Sequence, residues 1–111
     1  MANTFTRKLS NSVGTTAEEI GNYTVGANTT TIVVGLSITN TSGSAVSANV
    51  FIQDSTLANT SIVTNAPISS GSSLVVGGGN QKLVLIEGDK VFVQSSASSS
   101  LDAIMSIMEI T

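Results

Sequence analysis

"AVSANVFIQD", residues 45–54, alternates as a half-buried strand must. Val46, Ala48, Val50 and Ile52 face one way, and Ser47, Asn49 and Gln53 the other, with Phe51 interrupting the polar side. Upstream, "TTTIVVGLSITNTSG", residues 29–43, is rich in β-branched residues and closes on a turn cluster, which predicts a strand over about 30–39. Downstream, "TSIVTNAPI" predicts a further short strand that ends near the only proline, Pro67. "SSLVVGGGNQKLVLIEGDKVFVQSS", residues 72–96, reads as three strands. Gly77–Asn80 is expected to be a hairpin connection between the first two. "EGDK", residues 87–90, is a tight-turn signal before the third, with Gly88 expected at positive φ.

"TFTRKLS" and "NYTVGAN" are weaker strand candidates near the start, and "VGTTAEEI", residues 13–20, reads as loop. The closing segment, "SLDAIMSIMEIT", fits two patterns. Leu101, Ile104, Met105 and Met108 make a helical stripe, whereas Leu101, Ala103, Met105 and Ile107 make one face of a strand, with Ile104, Met108 and Ile110 on the other. The β context favours the strand. The expected fold is therefore all-β: a single small antiparallel β-sandwich, jelly-roll or immunoglobulin-like, of about 7–9 short strands. One domain is expected over residues 1–111, with residues 1–12 an extended N-terminal arm or an edge strand.

Composition narrows the function. Charged residues are 10% of the chain, against about 25% in an ordinary soluble domain. Hydrophobic residues make up 41%, and 18 Ser and 14 Thr give a neutral, hydroxyl-rich surface. Such a surface suits close packing against other chains. Net charge is −3, and the cations Arg7, Lys8, Lys82 and Lys90 form no cluster able to neutralise a phosphate backbone, so no nucleic-acid partner is expected. No apolar run approaches the ~18 residues of a membrane-spanning helix, and "MANTFTRKLSNS" lacks the apolar core of a signal peptide, so no membrane partner is expected.

The chain has no His and no Cys, which removes the commonest general base and the commonest soft metal ligands. Glu18–Glu19 are adjacent and Glu87–Asp89 flank a turn, so both pairs are read as solvated turn charges rather than as a glycosidase dyad. "GGGN", residues 77–80, lacks the Lys-Ser/Thr of a phosphate loop. No D-x-D-x-D-G calcium loop occurs. No catalytic residue, cofactor or metal site is expected, and the protein is read as a non-enzyme. Asn22, Asn28, Asn40 and Asn59 begin N-x-S/T triplets, which so much Asn, Ser and Thr generates by chance. A sugar-binding sandwich would display aromatics, but the chain has only Tyr23, Phe5, Phe51 and Phe92, with no Trp.

The order "RKLSNSVGTT", "YTVGANTTTIVVGLSITNTSGSAVSANVFI", "NAPISSGSSL" and "KLVLIEGDKVFVQSSAS", followed by an apolar strand, resembles small virion structural proteins of tailed bacteriophages of marine and cyanobacterial hosts. The likeness runs nearly the whole chain and is carried by turn and core residues. It departs at "VGAN", residues 25–28, where the family has a proline-containing turn, and at "ISSG", residues 68–71, where a second proline is missing. The resemblance implies a β-sandwich located in the virion, either a head decoration or cement subunit or a neck or tail accessory subunit. Its implied partners are copies of itself and other virion proteins: the major capsid, neck or tail protein. The alternative is a carbohydrate- or receptor-binding module at the virion surface. The segment apolar on both faces supplies the interface candidates, Ile104, Ile107, Met108 and Ile110.

Overall fold

The computed structural model describes residues 3–111, and at 77–81 the backbone alone. Eight strands follow one another: β1 (Asn3–Val13), β2 (Glu18–Thr24), β3 (Thr30–Asn40), β4 (Val46–Gln53), β5 (Asn59–Ile68), β6 (Ser73–Leu85), β7 (Lys90–Ser95) and β8 (Leu101–Ile110). They form two four-stranded sheets, ordered β1-β8-β3-β6 and β2-β7-β4-β5, in which every pairing is antiparallel. Each connection except β4–β5 crosses from one sheet to the other. Eight strands wound this way, with the last strand paired beside the first, make a jelly roll. Of the two sandwich types expected, this is the one adopted.

Alternation builds the core. Val46, Ala48 and Val50 of β4 are buried against Leu101, Ala103, Met105 and Ile107 of β8, Val33, Leu36 and Ile38 of β3, and Val91 and Val93 of β7. The filling is almost wholly aliphatic, which suits the pleated spacing between sheets. In β3 the alternation survives one irregularity. The register shifts between Val33 and Gly35, so Val34 is an extra residue, and Leu36 and Ile38 still point inward.

Two sequence expectations are corrected. Gly77–Asn80 is not a hairpin connection: β6 extends from Ser73 to Leu85, and the segments on either side of a register shift both pair antiparallel with β3, Leu83–Leu85 opposite Thr31–Val33 and Gly77 and Gly78 opposite Leu36 and Gly35. The glycines sit where the β3–β6 register shifts, a place in a ladder where glycine is common. Glu18–Ile20, expected as loop, open β2. Alternation there is hidden because Gly21 and Asn22 both have positive φ, at 63° and 53°, and break the period between buried Ile20 and Tyr23. The "EGDK" turn has the expected form. Gly88 has φ of 88°, and the Asp89 carboxylate accepts a hydrogen bond from the Ile86 N–H at 2.9 Å.

Candidate assembly face

Because directly opposed residues of antiparallel strands share a face, the register defines what the β1-β8-β3-β6 sheet shows to the outside. One row crosses all four strands as Phe5, Met108, Ile32 and Val84. A second crosses as Leu9, Ile104, Ser37 and Val75. Between them run Arg7, Ser106, Gly35 and Gly78. The result is two largely apolar rows either side of a middle row that holds Gly35 and the exposed Arg7, and a Cβ placed on Gly35 would meet nothing within 4 Å. Phe5 and Val75 are each 72% exposed, Val84 62%, Leu9 50% and Ile104 48%. Met108, Ile32 and Ile110 are half-buried by their neighbours. Large apolar side chains scattered singly are ordinary on a protein surface, but a contiguous set marks a contact site.

Of the four interface candidates, Ile104, Met108 and Ile110 lie on this outer side of β8. Ile107 is corrected: it is fully buried in the core, since the register shift beside it places the extra residue, Val34, in β3, and β8 itself alternates without interruption through Leu101, Ala103, Met105 and Ile107. The residues missing from the sequence reading are Phe5, Leu9, Val75 and Val84. Alternation of Phe5, Arg7 and Leu9 in "TFTRKLS" carried a signal for two of them. Which strands lie beside β8 is set by the topology, and one sequence does not display that.

The outer side of the β2-β7-β4-β5 sheet is different. Phe51 and Phe92 stack in parallel, with centroids 5.2 Å apart. Around them the polar groups are already engaged: Lys90 pairs with Glu19 at 3.5 Å, Asn49 Nδ2 donates to Gln94 Oε1 at 3.2 Å, and Asn49 Oδ1 accepts from the Asn65 N–H at 2.7 Å. A hollow of about 300 Å³ lies there, lined by Phe51, Asn49, Asn65 and Gln94 among others.

A larger groove of about 590 Å³ sits at one corner of the apolar face, between Leu9, Ile104, Glu18, Asn22 and Asp102. Its Asp102 carboxylate accepts from the Ser12 N–H at 3.1 Å, and no group of three or more metal-ligating side chains occurs among the described residues. At the opposite end of β8 from this corner, Tyr23 is buried against the inner side of β1. Its hydroxyl lies 2.6 Å from Thr31 Oγ1 and donates to Glu109 Oε2 at 2.8 Å. Burial, reinforced by the Glu109 carboxylate, pushes the phenol up to about 12. The Lys8 ammonium lies over the Tyr23 ring, 5.1 Å from its centre, in cation–π geometry.

No protein-family model matches the chain, and no curated protein does. Solved structures share its fold. A subunit of the disulfide-linked pili of Bacillus endospore appendages aligns with a TM-score of 0.59 at 13% identity, covering 98% of this chain and 88% of that one. The capsid structure of Helicobacter pylori bacteriophage KHP30 aligns at 0.57 with 7% identity, covering 100% and 94%. The T13 particle of infectious bursal disease virus (IBDV) aligns at 0.57 with 8% identity, covering 96% of this chain and 30% of that one. The chain thus has a jelly roll of the kind found in phage and viral capsid proteins and in a spore pilus.

Proposed function

We propose that the chain is a non-enzymatic structural subunit of a tailed-phage virion, a head decoration or cement subunit or a neck or tail accessory subunit. It works by packing against copies of itself and other virion proteins. The observation that carries this reading is the pair of rows on the outer side of one sheet, Phe5–Met108–Ile32–Val84 and Leu9–Ile104–Ser37–Val75, in which Phe5, Val84, Leu9, Ile104 and Val75 are exposed. A neutral, hydroxyl-rich remainder and a chain without His or Cys agree with a contact role and supply no reactive centre. Capsid-type jelly rolls supply precedent for the fold in such assemblies.

The receptor-binding alternative would use the hollow beside Phe51. There a sugar would meet a ring already stacked on Phe92 and amides already bonded to one another, so this reading has less behind it.

Immunogold electron microscopy of the phage particles tests the proposal. Regular label over the head, or a ring of label at the neck or tail, is expected. Particles free of the protein, or an intact protein that captures glycans from an array and sits only at fibre tips, would contradict it.

A further inference from the structure

The two sheets have four edge strands, and three are interrupted in mid-length. β2 carries Gly21 and Asn22 at positive φ, β5 carries Pro67, Asn65 at positive φ and two register shifts against β4, and β6 shifts register twice against β3. Such irregularities are how proteins keep edges from pairing with other chains. β1 differs. From Asn3 to Ser10 it follows β8 residue for residue, and its irregularity waits until Ser10–Val13. Over that run the residues are exposed except Lys8 and Ser10, which are half-buried. A lysine is the usual guard of an open edge, but Lys8 is drawn back over Tyr23. The edge is therefore long and regular, with Arg7 as its one exposed charge, and it is continuous with the apolar face through Phe5 and Leu9.

We propose that β1 pairs antiparallel with β1 of a second copy, across a two-fold axis at Thr6, joining the two outer sheets into one. This deepens the assembly reading above and rests on it. The register follows from charge and facing. For both apolar faces to lie on the same side, the axis must pass through a residue rather than between two. An axis at Arg7 opposes Arg7 to Arg7, and one at Lys8 opposes Lys8 to Lys8. One at Phe5 pairs only the short run Asn3–Arg7. An axis at Thr6 pairs the whole run Asn3–Leu9, sets each Arg7 beside the partner's Phe5 ring, and sets each Lys8 beside a threonine. Arg7 makes no ion pair among the described residues, so the ring is open to it. The joined sheet then presents both copies' rows as one largely apolar surface.

The chain has no cysteine, so an introduced thiol is unique. Thr6→Cys is a surface change close in size. On mild oxidation, or with a short bis-maleimide, it should link into a covalent dimer about tenfold faster than Ser61→Cys on the β5 edge, because pairing raises the local thiol concentration. Light scattering on the unmodified protein is run alongside. An oligomer in which the Thr6→Cys variant links no faster than the Ser61→Cys control overturns edge pairing and leaves the assembly reading standing. A monomer at every concentration, with no preferential linkage, overturns the edge pairing and removes the self-association on which the reading above draws.

Discussion

A Cβ built on Gly21 would stand 2.6 Å from the Cβ of Lys8 and 3.1 Å from the Lys8 Cα. The two edge strands β1 and β2, from different sheets, cross at this point, and the Gly21 N–H donates to Ser10 Oγ at 2.9 Å. Gly21 is thus needed twice, for its φ of 63° and for the close approach that closes this side of the sandwich. Gly21→Ala should destabilise the domain by about 2–4 kcal/mol, combining backbone strain with overpacking. Chemical denaturation measures it, and an unchanged midpoint would mean that β1 can lift away freely.

Asn40 begins an N-x-S/T triplet, but it is fully buried. Its Nδ2 donates to the carbonyls of Ser44 and Ile68, at 2.8 and 2.9 Å, and its Oδ1 accepts from the Ser42 N–H and hydroxyl, at 2.9 and 2.7 Å. One side chain ties the β3–β4 connection to the end of β5. Asn40→Ala leaves those groups without partners and should cost roughly 2–4 kcal/mol. Thermal unfolding of the variant within experimental error of the parent would refute this assignment.

Much of this architecture was legible in the residues themselves. Strand β4 alternates because one of its faces lies on an aliphatic core, and β3 could be recognised by its run of β-branched residues despite the extra Val34. Gly88 could be placed at positive φ because a four-residue turn between two apolar runs requires it. What stayed hidden follows from the same physics. Gly77–Asn80 has turn chemistry, yet a strand can carry such residues where its ladder shifts. β2 lost its period to two positive-φ residues. In β8 both faces are apolar, so the inward set depends on parity alone: Leu101, Ala103, Met105 and Ile107 turn in, and Ile104, Met108 and Ile110 turn out. The rows that make a surface of them come from β1, β3 and β6, and that adjacency is a property of the jelly-roll winding.

Tyr23 is the sole tyrosine and there is no tryptophan, so ultraviolet titration of the phenol reads one group. Its folded value, near 12, lies above the ordinary value of 10.0 because the buried site disfavours the phenolate. A raised value means that its contribution to stability is complete below about pH 10 and is lost as pH rises toward about 12. The native protein should therefore ionise near pH 12 and the denatured chain near pH 10. Thr31→Val and Glu109→Gln should each change the native curve. A native titration superimposable on that of the denatured chain would show that the Tyr23–Thr31–Glu109 cluster is open to water.

The proposed role requires the outer side of the β1-β8-β3-β6 sheet to be a contact surface and not a solvated one. Ile104 is 48% exposed at the middle of it, and Met108 lies between Phe5 and Ile32. A carboxylate at either position faces water in a monomer and a dry apolar surface in an assembly, where an unpaired charge is costly. The decisive experiment is solution mass by light scattering, for the parent chain and for Ile104→Asp and Met108→Asp, with circular dichroism of each. The parent should self-associate as concentration rises, and the variants should stay folded but lose the contacts made through this face, going no further than the edge-paired dimer. A parent that is monomeric at high concentration, or variants that assemble as the parent does, would rule out this surface as the site of contact.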